Sequence, residues 1–63
     1  MTYEEFKDEV FKTLEKDFHF KMTEEEVAKE LPEYEDIINE GKRSIYGEKS
    51  GIRYAANNIA MIL

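Results

Sequence analysis

Met22-Thr23-Glu24-Glu25-Glu26-Val27 repeats the grammar of the opening Met1-Thr2-Tyr3-Glu4-Glu5-Phe6. In each stretch a Thr is followed three residues later by a Glu. A Met just before the Thr is matched to an apolar residue at the fourth helical position. The first pattern is a capping box: the Thr hydroxyl accepts one backbone N–H that a helix start leaves unpaired, and the Glu carboxylate accepts another. The second is a hydrophobic staple, which sets the angle at which the chain enters the helix. Two such starts in one short chain predict two helices and point to an all-α fold.

Working outward from the first start, Tyr3, Phe6, Val10, Leu14 and Phe18 recur in steps of three and four, with Phe11 beside them. This spacing places them on one helix face. Lys7, Asp8, Lys12, Glu15 and Lys16 fill the remainder, so the spacing predicts a helix over 3–18. Phe18-His19-Phe20-Lys21-Met22 alternates apolar and polar, but one short strand would have no partner. It reads as a connector whose aromatic residues fold back on the core.

From the second start, Val27, Ala28 and Leu31 form a brief apolar face. Pro32 disfavours helix at the residue before it, so this helix should stop near Glu30, and Pro32 can itself enter the first turn of the next. The third segment carries Tyr34, Ile37, Ile38, Ile45 and Tyr46. Gly41 is either a C-cap or a weak interior position, and Lys42 and Arg43 suit the negative end of a helix dipole, which favours termination within 41–46. Residues 47–51, Gly-Glu-Lys-Ser-Gly, read as a loop. Over 52–63, Ile52, Ala55, Ala56, Ile59, Ala60, Ile62 and Leu63 form a wide apolar arc that Tyr54 and Met61 extend. Such a helix is usually the central one of a bundle, its alanines admitting close neighbours. The expected fold class is all-α: a compact bundle of three to four short helices, one small domain over residues 1–63.

Composition agrees with that reading. The 63 residues hold 15 Asp or Glu against 9 Lys or Arg, a net charge of -6, with 41% hydrophobic residues. This is too apolar for a disordered chain, yet a domain of this size can bury only a small core. The absence of Cys removes disulfides, thiolate metal sites and cysteine nucleophiles, and fits a reducing compartment. The acidic N-terminal stretch predicts no signal peptide. The nearly apolar stretch from Tyr54 to Leu63 is about half the length that crosses a bilayer, and Asn57 and Asn58 interrupt it. A cytoplasmic protein without membrane attachment is expected. Ile59, Met61, Ile62 and Leu63 are expected to be buried within the monomer. Left uncovered, this cluster would form a homodimer seam through Ile59, Ile62 and Leu63.

The acidity is local. Residues 23–40 hold eight acids and only Lys29, whereas residues 41–63 set Lys42, Arg43, Lys49 and Arg53 against Glu48 alone. Acids at helix starts explain part of this excess. The other reading of the same acids is an acidic docking face for a basic partner, another protein, formed by Glu30, Glu33, Glu35, Asp36 and Glu40.

Thr23 to Leu31 also resembles the first helix of a helix-turn-helix DNA-binding motif: an aliphatic Val27, then Ala28, then Leu31, with Ile38 at the apolar position of the recognition helix. The resemblance implies a degenerate DNA-binding regulator in which Lys42, Arg43, Lys49 and Arg53 would touch phosphates. Pro32 stands where that motif favours Gly, and Glu33, Glu35, Asp36 and Glu40 would face a polyanion, so nucleic acid is the lesser expectation. His19 with Glu15 one turn earlier is the only acid–base candidate. It lacks the second His and the repeated spacing of a carboxylate-bridged metal site, and Ser44 and Ser50 have no nucleophile motif around them. No catalytic residue, metal ligand or cofactor site is expected.

The opening Met1-Thr2-Tyr3-Glu4-Glu5-Phe6-Lys7 and the closing stretch Tyr54 to Leu63 resemble small acidic helical proteins encoded on bacterial conjugative transposons. That resemblance implies a cytosolic accessory protein of a mobile element and carries over no functional residue. The expected function is that of a non-enzymatic protein-interaction module.

Overall fold

The computed structural model describes residues 1–63 as four helices without strands: α1 (Tyr3–Phe18), α2 (Glu24–Glu30), α3 (Tyr34–Lys42) and α4 (Glu48–Ile62). Both capping boxes form. Thr2 Oγ1 accepts from the Glu5 N–H at 3.2 Å while Glu5 Oε1 accepts from the Thr2 N–H at 2.8 Å. Thr23 and Glu26 repeat the pair at the same distances. α1 ends at His19, a left-handed residue at φ 54°, ψ 32°. That conformation turns the N–H groups of His19 and Phe20 back to the Leu14 carbonyl. Phe18, Phe20 and Met22 thereby fold onto the core as half-buried side chains, while His19 faces solvent.

The core joins Phe6, Val10 and Leu14 of α1 to Val27 and Leu31, to Tyr34 and Ile38 of α3, and to Ile52, Ala55, Ala56 and Ile59 of α4. α4 packs on both α3 and α1 and is the central helix. Phe11 meets the Tyr34 ring edge-on at 6.4 Å. Where α3 crosses α4, Gly41 lies against Gly51. A Cβ on Gly51 would stand 2.9 Å from the Gly41 carbonyl carbon and 3.3 Å from Phe6 Cζ; one on Gly41 would meet the Gly51 carbonyl oxygen and lie 3.2 Å from the Ala55 Cβ.

Of the two alternatives for Gly41, the structure has the interior position: Gly41 is helical, and α3 ends at Lys42, within the expected 41–46. Other expectations are corrected. Residues 48–51 are not loop but the first turn of α4, with Gly51 fully inside it. Gly47, at φ 100°, takes the sharp turn and acts as N-cap. Ile45 and Tyr46 therefore lie in the short α3–α4 connection rather than on the third helix, 87% and 80% exposed. Pro32 stays in the turn before α3, where Tyr34 N–H reaches the Leu31 carbonyl at 3.0 Å. The C-terminal cluster divides: Ile59 is completely buried and unavailable as a seam residue, whereas Met61, Ile62 and Leu63 are exposed.

Candidate functional site

The five carboxylates singled out in sequence all reach solvent: Glu30 at the end of α2, Glu33 at the N-cap position of α3, and Glu35, Asp36 and Glu40 along α3. Tyr34, Ile38 and Gly41 point the opposite side of α3 into the core. At 100° per residue, Glu35 and Glu40 stand about 140° apart across the outer face, with Asp36 between them. The face is therefore broad and convex. Asp36 and Glu40 share one stripe, and Glu35 leans toward α1, where its carboxylate accepts from the Tyr3 hydroxyl at 3.1 Å. Glu40 leans the other way and accepts from the Tyr54 hydroxyl of α4 at 3.1 Å.

None of the five carboxylates is in an ion pair. The ion pairs of the chain lie elsewhere: Lys7 with Glu4 and Glu24, Lys12 with Glu9, Arg53 with Asp17, and the Met1 amine with Glu48. Of the bases considered for phosphate contact, Arg53 is thus engaged by Asp17 at 3.1 Å, and Lys42 donates to the Met1 carbonyl at 3.1 Å. The unpaired carboxylates of Glu35, Asp36 and Glu40 on the outer side of α3 concentrate negative potential there and draw cationic groups from solution.

Glu24 behaves differently from the acids that follow it. Its carboxylate receives the Lys7 ammonium at 2.8 Å and the Tyr34 hydroxyl at 2.8 Å, tying α2 to α1 and α3. Lys7 is only 12% exposed at its side chain and also sits 5.5 Å from the centre of the Tyr3 ring. The hydrogen bond from Lys7 holds the Glu24 carboxyl below its usual range, and the same bond raises the Lys7 ammonium. Burial, reinforced by the neighbouring carboxylates, pushes the Tyr3 and Tyr34 phenols up to about 12. This cluster is structural cement; sequence reading counted Lys7 among ordinary outer-face charges and missed it.

A second feature was also missed. Glu40 borders a surface groove of about 370 Å³ whose apolar walls are Ile45, Tyr46 and Tyr54, with Arg43 on its rim. In sequence Ile45 and Tyr46 read as apolar residues of the third segment, so no signal pointed to this groove. His19 and Glu15 are both exposed, and no group of three or more Asp, Glu or His side chains is arranged to hold a metal ion. No helix is long and apolar enough to cross a membrane. No family model matches the chain, and no curated protein or solved structure matches it either.

Proposed function

We propose that this chain is a non-enzymatic protein-interaction module that docks a basic segment of a partner protein on the outer face of α3. The observation that carries the reading is that Glu30, Glu33, Glu35, Asp36 and Glu40 are all exposed and none is neutralised by a base of the chain. Leaving them unpaired costs the fold little in high dielectric and speeds encounter with a cationic surface. A role as an accessory protein of a mobile element is compatible with such a module. A DNA-binding role for α3 is disfavoured by the same carboxylates, which would repel phosphates along the exposed side of that helix.

The test compares capture from host lysate at low and high salt by the wild-type chain and by a Glu33→Gln, Asp36→Asn, Glu40→Gln variant, with protein and nucleic acid both identified. One stoichiometric protein held by the wild type at low salt, released at high salt and not held by the variant is the expected result. Equal capture by both chains would refute the docking face, and retained DNA would transfer the role to the basic residues.

A further inference from the structure

The backbones of α1, α3 and α4 pack on one another in all three pairings, and α2 takes part in no comparable one. α2 itself buries a single side chain, Val27, to which its C-cap Leu31 adds a second. No backbone hydrogen bond joins α2 to another helix; its bonds are internal or close the adjoining turns. Among its side chains only Glu24 makes a polar contact elsewhere in the fold, with the Lys7 ammonium and the Tyr34 hydroxyl, each at 2.8 Å. Both ends of the segment are non-helical. On one side stands the left-handed His19, at φ 54°, and on the other Leu31, at φ -137° and ψ 79°, followed by Pro32.

We infer that residues 20–32 form a strap that detaches from the α1–α3–α4 core as one unit, pivoting at His19 and Pro32, with Glu24 as its latch. A helix of seven residues has too few internal bonds to persist once released, so α2 melts as it leaves and regains conformational entropy. Nine of the eleven core residues, all but Val27 and Leu31, belong to α1, α3 or α4 and stay packed on one another. Detachment therefore gives up two aliphatic side chains and one latch, far less than the release of α1 or α4 would, and partial openings follow such weakly joined units. Phe11 lines a recess with Phe20 and Met22 of the strap, so opening exposes its ring and frees the Tyr34 hydroxyl. Glu30 travels with the strap, whereas Glu35, Asp36 and Glu40 remain on α3. The acidic surface thus changes shape while the core stays folded.

Native-state amide hydrogen exchange of the full chain in graded urea tests this inference without calling on any partner. The amides of Val27 to Leu31 are expected to share one exchange curve, with protection at least about tenfold below that of the α4 amides from Ala55 to Ile59. Their urea dependence should be smaller than that of α4 but above zero, the mark of a partial opening. Gly51→Ala strains a crossing whose nearest neighbours are Gly41 and Phe6. It should lower protection in α4 and leave α2 unchanged, because the strap opens with that crossing intact. Glu24→Gln should lower protection in both by the same factor, because the latch is lost in either opening. One common curve for α2 and α4, α2 amides that exchange one by one without urea dependence, or an equal fall in both helices in Gly51→Ala would overturn the inference. The wild-type urea series decides alone should either variant fail to fold.

Discussion

Gly41 in α3 and Gly51 in α4 touch backbone to backbone, and neither position has room for a methyl group. The contact sets how closely the two helices cross, and Ala55 and Phe6 close around it. In an exposed helix, replacing Gly by Ala usually stabilises by about 1 kcal/mol. Here the sign reverses, because the added Cβ would overlap a carbonyl group that cannot move without displacing a helix. Gly41→Ala and Gly51→Ala are each expected to destabilise by about 1–3 kcal/mol. Ser50→Ala, exposed one residue away, should be neutral within about 0.5 kcal/mol. Urea unfolding followed by circular dichroism checks all three, and a stabilised Gly51→Ala would show that the helices separate at no cost.

The Lys7–Glu24–Tyr34 cluster makes stability depend on pH at both extremes. Glu24 is held below the usual carboxylate value of 4.5, so its contribution is present above that pH and is lost as pH falls through the lowered value. Lys7 is raised, so its contribution is present below its ordinary value of 10.5 and is lost as pH rises through the higher one. Tyr3 and Tyr34 are neutral in the fold up to about 12 but ionise near 10 when unfolded, which subtracts stability over the same alkaline window. Urea midpoints across pH should therefore drop steeply on the alkaline side, and Tyr34→Phe should make that limb shallower. An unchanged alkaline limb in Tyr34→Phe would mean that the phenol ionises without resistance.

The seven-residue α2 is too short to persist on its own, and its Thr23 cap carries a large share of its definition. Thr23→Ala is expected to cost about 1 kcal/mol, while Thr23→Ser, which keeps the hydroxyl, should cost under about 0.5 kcal/mol. Amide hydrogen exchange gives a second readout: protection at Glu26, whose N–H the Thr23 oxygen accepts, should fall in the alanine variant and survive in the serine one. Equal loss in both would assign the effect to packing of the side chain rather than to the cap.

His19 adopts a left-handed conformation without glycine's freedom and keeps its side chain in solvent. His19→Gly should raise stability by about 0.5–1 kcal/mol, because the strain of a Cβ in that region disappears and no packing is lost. Gly47→Ala is the converse, placing a Cβ at φ 100° with nothing nearby to clash, and should destabilise by about 1 kcal/mol. Thermal melts of the two variants should move in opposite directions. A destabilised His19→Gly would reveal an interaction of the imidazole that the exposed position does not suggest.

The candidate surface was legible only in part. The acid excess over residues 23–40 pointed to Glu30, Glu33, Glu35, Asp36 and Glu40; for Glu35, Asp36 and Glu40 exposure is a local property of α3, whose opposite side holds Tyr34 and Ile38, whereas Glu30 ends α2 and Glu33 is the α3 N-cap. That Glu24 belongs to another group was not legible, since its partners Lys7 and Tyr34 come from different helices. The groove beside Glu40 was hidden for a related reason: Ile45 and Tyr46 look like core residues until the chain is known to leave the helix after Lys42.

What the sequence determined by itself rests on interactions between near neighbours. The starts of α1 and α2, the whole span of α1, the connector after Phe18 and the end of α2 near Pro32 follow from reciprocal capping bonds, from 3.6-residue periodicity and from the steric conflict between a proline and the residue before it. Tertiary structure alone decided that Gly41 and Gly51 are helical, that α4 starts at Glu48, that Ile59 is buried while Met61 is not, and that Lys7 is nearly enclosed. A glycine seen along the chain shows only its cost to a helix. Its benefit, the close approach of another backbone, exists only once the second helix is in place.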